Sequence, residues 1–179
     1  MIFRPTPIAG VLEILAERAR DSRGAFFRSF CVEEFARNGI DFHPVQASFS
    51  ENLGRHTLRG MHWQAAPHEE VKLIRCVRGA VHDVALDIRA GSATFGRHVA
   101  VELSAEAGNA ILIPAGVAHG FLTLTDDAVL EYMMDVPFAP GFGRGLRWND
   151  PAFGIAWPAE PAVISDRDAT WPPFGPDHA

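Results

Sequence analysis

The chain has 179 residues, of which 47% are hydrophobic and 21% are charged, and this composition is typical of a single soluble globular domain. Its formal net charge of −6 gives no basic surface, which argues against nucleic acid or an anionic membrane as a partner. No apolar run approaches the ~20 residues that a bilayer-spanning helix needs.

The N-terminal extension, residues 1–42, contains one clear helix signal. Residues 11–20 fit either a short amphipathic helix or an edge strand, because the local pattern suits both. Residues 32–40, VEEFARNGI, predict a helix that ends at the Asn-Gly pair. The first 20 residues lack a basic leader followed by an apolar stretch, so we predict no secretion signal and a cytoplasmic protein. Two isolated cysteines, Cys31 and Cys76, fit a reducing compartment.

Residues 43–148 consist of short β-rich runs separated by Gly, Pro, Asn and Asp. The runs are VKLIRCV, AVHDVALDIR, HVAVELS, AILIPAG, GFLTLT and VLEYMMDV. Their regular spacing predicts an antiparallel sandwich or barrel. We therefore predict an all-β fold, a jelly-roll barrel with minor helices, as a single domain over residues 1–179. Residues 43–148 would form the barrel core, and the Pro-rich tail, residues 149–179, would pack irregularly over one edge or end.

One lysine and one tyrosine stand out against the composition. Fifteen of the 16 basic residues are Arg and 13 aromatic residues are Phe, whereas Lys72 and Tyr132 are the only residues of their kinds. The period-2 alternation of a strand places Lys72 on one face with Ile74 and Cys76, and Arg75 on the other face. Because burial of Arg75 would be costly, we expect the face of Lys72 to point into the barrel.

The segment GNAILIPAGVAHGFLTL carries the most specific short signal. Its first Gly, its Pro-x-Gly turn and His119 match the second half of the cupin signature, in which the histidine points into the barrel mouth. Metal-binding cupins supply two histidines, two residues apart, and a glutamate from the first half. Here His62 and Gln64 occupy that place, with Lys72 further on. Gln is a poor ligand for zinc or iron and an ammonium repels a divalent cation, so we predict no metal centre.

Several longer, gap-free stretches carry a family resemblance. They are TLRGMHWQ, KLIRCVRGAVHDVALDIRAGSATFG, VELSAE, IPAGVAHGFLTL and RGLRWNDPAFGIAWP. From DSRGAFF to ISDRD, most of its length, the chain closely resembles the dTDP-4-dehydrorhamnose 3,5-epimerase family. The resemblance implies a homodimeric cupin-type jelly roll that uses neither a metal nor an organic cofactor. It also implies epimerisation of a nucleotide-linked 4-keto-6-deoxyhexose at C3, C5 or both, the carbons that flank the ketone.

The resemblance assigns catalytic roles to four residues. His62 matches the family's base, since a neutral imidazole can accept a carbon-bound proton near neutral pH. Asp168 matches the carboxylate that orients this imidazole, although Asp166 in the same ISDRD stretch competes for the role. Lys72 matches the cation placed against the developing enolate oxygen, where a compact charge is useful. Tyr132 matches the acid that returns a proton from the opposite ring face.

Seven further residues resemble substrate contacts of the family; they are Arg23, Phe26, Arg28, Gln46, Arg59, His119 and Phe138. Three departures from the family pattern fall at the nucleotide end or rim of the pocket. Arg28 replaces a usual Glu, Ala47 and Ser48 replace Asp-Asn, and Phe138 replaces a common Tyr. A guanidinium only donates hydrogen bonds, whereas a carboxylate accepts them. We therefore expect a nucleotide preference that differs from, or is looser than, that of thymidine-specific relatives.

Simpler interpretations of single residues stay open. A histidine on a strand is more often structural than catalytic, Arg23 suits an exposed charge, Arg59 suits a loop anchor, and Tyr132 suits a barrel-wall aromatic. The alternative function is a metal-dependent cupin oxygenase or isomerase of a small molecule, and a non-catalytic sugar-nucleotide binding module is third. The predicted partners are a nucleotide-sugar substrate and a second copy of the chain, with no nucleic acid and no membrane.

Overall fold

The computed structural model describes residues 1–175, which are mainly β-strands. The N-terminal part contains β1 (Ile2–Pro5), β2 (Leu12–Leu15), β3 (Ala19–Asp21), β4 (Gly24–Phe26) and α1 (Val32–Arg37). The middle part contains β5 (Gln46–Glu51), β6 (Thr57–Gln64), β7 (Lys72–Arg78), β8 (Ala80–Asp87), β9 (His98–Ser104), β10 (Ala110–Ile113), β11 (Val117–Thr123), β12 (Val129–Met134) and β13 (Gly143–Gly145). The last part contains β14 (Val163–Ile164) and α2 (Asp166–Ala169).

Two sheets enclose the main core. The first sheet has the strand order β1-β2-β10-β7-β12-β5, and the second has the order β13-β6-β11-β8-β9 with β14 added beside β6. Apolar side chains from both sheets meet in one buried cluster, with Ile74, Ile111 and Leu130 on the first sheet and Leu103 and Phe121 on the second. Alternating side chains point to opposite faces, so the strands from β7 to β12 each turn apolar side chains towards this cluster. The all-β jelly-roll prediction is confirmed.

The orientation of β7 agrees with the expectation from its alternation. Ile74 and Cys76 lie in the cluster between the sheets, and Tyr132 packs against it. Leu73, on the other face, packs with Phe35 and Phe42 beneath the N-terminal segment. Lys72, the first residue of β7, therefore lies on the face of the strand that points between the two sheets.

Arg75 departs from the expectation that it would stay out of the protein interior, because it is buried on the outer face of β7. Its guanidinium donates to the Ser29 carbonyl oxygen and lies 3.2 Å from the Glu131 carboxylate. Burial lowers the pKa of Arg75, and the nearby charge of Glu131 opposes that shift. The N-terminal segment thus covers a charge that already has a counter-ion and a carbonyl acceptor, which offsets much of the cost of burial.

Both flanking segments add regular structure. The open choice for residues 11–20 is decided in favour of strands, because β2 pairs with β1 and with β10. The helix expected at 32–40 is confirmed as α1, which is capped at Asn38 and followed by Gly39 at φ 74°. The tail is more ordered than expected, since β14 runs parallel to β6 and leads directly into α2. No helix within residues 1–175 is long and apolar enough to cross a membrane.

Candidate active site

Both sheets contribute side chains to a cavity of about 370 Å³. His62 of β6 lies on the wall formed by the second sheet, whereas Lys72 of β7 and Tyr132 of β12 lie on the wall formed by the first. Gln46 and Phe138 also line this cavity. Three residues predicted as catalytic and two predicted as substrate contacts are therefore brought together in one place.

Asp168, the fourth residue predicted as catalytic, is bonded to His62. Nε2 of His62 lies 2.6 Å from Oδ1 of Asp168. The His62 side chain is 42% exposed and the Asp168 side chain is 6% exposed, so the imidazole faces the cavity and the carboxylate lies behind it. A proton held on Nε2 by the carboxylate leaves Nδ1 as the basic nitrogen of the ring.

Helix α2 and two further donors fix the position of Asp168. Ser165 caps the helix by accepting the Asp168 backbone N–H at 3.1 Å. The carboxylate also accepts the Gly60 N–H at 3.3 Å and the Trp171 Nε1–H at 3.2 Å. Burial raises the pKa of Asp168, but the hydrogen bond and charge of His62 and the other donors bring it below its usual value. Asp166 is exposed, so Asp168 is the carboxylate that meets His62.

Strands β6 and β11 approach each other closely beside this pair. Gly60 has φ 121°, and a Cβ atom there would lie 2.5 Å from the Cα atom of Gly120 on β11. Only glycine accepts both this backbone conformation and this approach. The close packing matters for the site because the Gly60 N–H is one of the donors to Asp168.

Lys72 is paired with a carboxylate that the sequence analysis did not single out. Its Nζ lies 2.7 Å from Oε1 of Glu70, and the two side chains are only 13% and 5% exposed. Glu70 also lines the cavity. The sequence could have indicated this pair, because residues 70 and 72 lie on the same face of an extended chain.

Tyr132 lies at the boundary between the cavity and the core. It packs against the main core cluster, and its ring meets the His119 ring edge-on with 5.9 Å between the centroids. Burial raises the pKa of Tyr132 well above its usual value, the charge of Asp83 adds to this, and Arg59 opposes it. The phenol therefore keeps its proton near neutral pH.

Two of the predicted substrate contacts lie beside the cavity without lining it. His119 stands directly across from His62 in the pairing of β11 with β6, but its Nε2 bonds to Oδ2 of Asp83 at 2.8 Å. Arg59 donates from Nε to Oδ1 of Asn52 at 2.8 Å, which is the loop-anchor arrangement. Neither residue contributes to the cavity wall of the chain.

The three predicted contacts nearest the N-terminus lie away from the cavity. Phe26 is 83% exposed on the β3–β4 hairpin. Arg23, in the turn of that hairpin, pairs with Asp21, and Arg28 pairs with Glu34 of α1. Within one chain, the structure does not bring these three side chains to His62.

The remaining departures from the family pattern divide between two faces of β5. Ser48 lines the cavity, whereas Ala47 is exposed. Gln46 also lines the cavity, and its Oε1 accepts the Phe138 N–H at 3.1 Å. Gln64, which the sequence placed beside His62 at the barrel mouth, lines the cavity too. Other lining residues were missed by the sequence analysis, although most lie within or next to the motifs that it used; they are Trp63, Met134, Val136, Gly143, Arg144 and Arg167.

At the position where a metal-binding cupin has a ligand, Gln64 makes hydrogen bonds to backbone groups. Nε2 of Gln64 donates to the His68 carbonyl oxygen at 3.0 Å, and Oε1 accepts the Ala139 N–H at 2.7 Å. Both ends of this amide therefore hold neighbouring loops. Among residues 1–175, no group of three or more His, Cys, Asp or Glu side chains is arranged to hold a metal ion.

Comparisons with known proteins identify the family of the chain. The family model for dTDP-4-dehydrorhamnose 3,5-epimerase matches residues 5–175. The chain belongs to the dTDP-4-dehydrorhamnose 3,5-epimerase family. It is 42% identical over 173 residues to the dTDP-4-dehydrorhamnose 3,5-epimerase of Sinorhizobium fredii, an alignment that covers 96% of this chain and 89% of that relative. The family resemblance predicted from the sequence is confirmed.

Solved structures of the family have the same fold. The dTDP-4-dehydrorhamnose 3,5-epimerase of Elizabethkingia anophelis matches with a TM-score of 0.93 at 33% identity, over 97% of this chain and 96% of that chain. A 3′-monoepimerase from Streptomyces bikiniensis, solved in complex with dTDP-quinovose, matches with a TM-score of 0.89 at 37% identity, over 95% of this chain and 86% of that chain. The protein is thus an epimerase, a member of the carbohydrate isomerases, and none of these relatives supports the metal-dependent alternative.

Proposed function

We propose that this enzyme inverts one or both of the carbons that flank the ketone of a dTDP-linked 4-keto-6-deoxyhexose, most simply dTDP-4-dehydro-6-deoxyglucose. The observation that carries the proposal is a His62–Asp168 pair facing the same cavity as Lys72 and Tyr132. The names of the relatives support the substrate class, because they give dTDP-linked sugars as what those proteins bind or act on.

The proposed reaction begins with proton removal. His62 takes the proton from a carbon next to the ketone, the C–H electrons form a C=C bond, and the carbonyl oxygen becomes an enolate oxygen. The Lys72 ammonium stabilises that oxygen, and Asp168 stabilises the imidazolium. Both charges therefore develop beside groups of opposite sign that are already in place before the reaction.

Inversion requires that the proton return from the other side of the sugar ring. His62 and Tyr132 belong to different sheets and line the cavity from different walls. Tyr132 donates its hydroxyl proton to the carbon, and the ketone re-forms. The phenolate then regains a proton from solvent and the His62 imidazolium releases one to solvent, which restores both groups. Two proton-transfer groups on facing walls suit inversion, whereas a single group would return the proton to the face from which it came.

Solvent deuterium exchange tests the proposal directly. In D₂O the enzyme should place deuterium at C3, C5 or both of dTDP-4-keto-6-deoxyglucose, with inversion at the labelled carbon, and NMR identifies which carbon reacts. The matched control is dTDP-glucose, whose C–H bonds are not activated by a ketone. Absence of deuterium uptake from the keto sugar would overturn the proposed function.

The nucleotide preference is a separate part of the proposal. We propose that dTDP is bound, with less discrimination against other bases than in thymidine-specific relatives, because Ser48 gives a short side chain to the cavity wall. Calorimetry with dTDP, GDP, CDP and UDP on one preparation measures this preference. A dTDP preference of more than about a hundredfold, roughly 2.7 kcal/mol, would contradict the looser recognition.

We also propose that the enzyme is a homodimer that needs no metal. The exposed Phe26 offers apolar surface for a second copy, and contact with a second copy is how residues of its hairpin would reach a cavity. Sedimentation at micromolar concentration should give about twice 19.6 kDa. Activity should survive EDTA treatment, and its loss and restoration by zinc, iron or manganese would contradict the metal-free mechanism.

A further inference from the structure

Glu70 holds a buried carboxylate oxygen that has no donor. Its Oε1 is paired with Nζ of Lys72, whereas its Oε2 is buried and has no hydrogen-bond partner among residues 1–175. A carboxylate has capacity for several donors, and an unmet buried acceptor is destabilising. Because the same side chain lines the reaction cavity, the missing donor is one that the cavity's occupant can supply.

The proposed substrate restricts which donor this can be. If Lys72 stabilises the oxygen on C4, Glu70 lies next to whatever is attached to the neighbouring carbons. In a 4-keto-6-deoxyhexose, C5 bears the ring oxygen and a methyl group, neither of which can donate a hydrogen bond. C3 bears a hydroxyl. The 3-hydroxyl is therefore the donor on a carbon adjacent to the ketone.

We propose that Glu70 is a specificity-determining residue, whose carboxylate accepts a hydrogen bond from the 3-hydroxyl while it holds Lys72 against the C4 oxygen. The inference rests on the proposed function of the site. The terminal torsion of a glutamate is soft, so a small rotation turns Oε2 towards the cavity while Oε1 stays with Lys72. Lys72 and Glu70 together then recognise an α-hydroxyketone, one through its carbonyl oxygen and the other through its hydroxyl.

The competing interpretation is that Glu70 serves only as the counter-ion of Lys72. A counter-ion affects every substrate that has a ketone, with or without a 3-hydroxyl. A hydroxyl acceptor affects only a substrate that carries the hydroxyl. The two roles are therefore separated by comparing a dTDP-linked 4-keto-6-deoxyhexose with its 3-deoxy analogue, both of which have exchangeable hydrogens next to the ketone.

The experiment measures kcat/KM for deuterium uptake from D₂O into both sugars, for the wild type and for Glu70→Ala. The wild type should prefer the 3-hydroxy sugar, and Glu70→Ala should reduce that preference by about tenfold to a hundredfold, the value of a hydrogen bond to a charged group. Any intrinsic difference in C–H acidity between the two sugars affects the wild type and Glu70→Ala equally, so it cancels when the two preferences are compared. An unchanged preference would overturn the inference.

Two further variants control the result. Glu69→Ala removes a neighbouring exposed carboxylate and should leave the preference at the wild-type value. Glu70→Gln keeps the shape of the side chain and serves as the test if Glu70→Ala does not fold. It should reduce the preference by a smaller factor, about threefold or more, because a neutral hydrogen bond is weaker. Equal preference in Glu70→Gln and the wild type would overturn the inference. Failure of the wild type to exchange either sugar would instead overturn the proposed function.

Discussion

Two of the histidine–aspartate pairs within residues 1–175 have their histidines at paired positions of β6 and β11, and these two pairs have opposite surroundings. His62 and His119 stand directly opposite each other in the β6–β11 pairing, and each bonds an aspartate through Nε2. The His62 and Asp168 side chains are 42% and 6% exposed, whereas those of His119 and Asp83 are 6% and 0% exposed. The chemistry of the two pairs is the same, and access to the cavity separates them.

The aspartates also differ in what else they bind. Asp168 accepts three donors, from His62, Gly60 and Trp171. Asp83 has a buried Oδ1 without a hydrogen-bond partner among the described residues, and its charge helps to raise the pKa of Tyr132. The comparison suggests that the first pair is built for proton transfer with a substrate, whereas the second acts within the protein. Substitutions in each pair test this division.

The largest expected effect is the loss of exchange in His62→Ala. Removal of a general base typically costs ~10²–10⁴-fold in rate, so deuterium uptake next to the ketone should fall by that factor. The melting temperature should fall less than in a variant that isolates a buried carboxylate, because Asp168 keeps the Gly60 N–H and the Trp171 Nε1–H as donors. Exchange at the wild-type rate would break the assignment of the first pair to catalysis.

His119→Ala should show the reverse pattern, with stability as the main loss. The variant leaves the fully buried Asp83 carboxylate without its partner, and breaking a buried pair costs about 3–5 kcal/mol. Chemical denaturation measures the free energy of unfolding. If His119→Ala keeps its stability and loses only activity, His119 belongs to the catalytic site and the division between the two pairs is wrong.

Tyr132→Phe should separate proton exchange from inversion. Tyr132 lines the cavity and also contacts the ring of His119. With the opposite-face donor removed, His62 can still remove and return a proton, so part of the deuterium uptake should persist while net inversion falls. NMR follows both quantities in one sample. A parallel loss of exchange and inversion would mean that Tyr132 is not the separate acid.

Acid should weaken the Asp168 contribution to stability. The pKa of Asp168 in the folded protein lies below its usual value of 3.8, so its contribution to stability is present above about pH 3.8 and is lost as the pH falls through the folded-state pKa. The free energy of unfolding of Asp168→Asn should therefore fall less steeply than that of the wild type over this acidic range. Identical slopes in denaturation series at successive pH values would contradict the lowered pKa.

The smallest expected effect concerns the support of Asp168 by Trp171. A Cβ atom at Gly145 would lie 2.2 Å from the Trp171 ring, so Gly145→Ala must displace the indole that donates to Asp168. Loss of one hydrogen bond typically costs about 1 kcal/mol, so deuterium uptake should slow by about fivefold. As a control, Gly141→Ala meets no atom within 4 Å and should keep activity close to that of the wild type, although the φ of 89° at Gly141 adds backbone strain that Gly145→Ala does not have. Equal activity in Gly145→Ala and the wild type would argue that Trp171 does not support the pair.

The sequence by itself determined the strand content, the inward face of β7, and the family. Strand faces follow from period-2 alternation, which is a local property, and this placed Ile74 and Cys76 correctly. Composition drew attention to Lys72 and Tyr132 because each is unique in the chain. Long gap-free motifs then identified the family and with it His62.

Only the tertiary structure decided which groups meet. His62 and Asp168 are 106 positions apart, and the fold buries Asp168 against His62 while it leaves Asp166 exposed. The burial of Arg75 and of His119 also depends on segments that are distant in sequence. Ser29 and Glu131 pair with Arg75, and Asp83 pairs with His119. Local pattern fixes the direction of a side chain within its own strand. The partner that makes burial of a charge tolerable comes from another part of the chain, and only the folded structure brings it there.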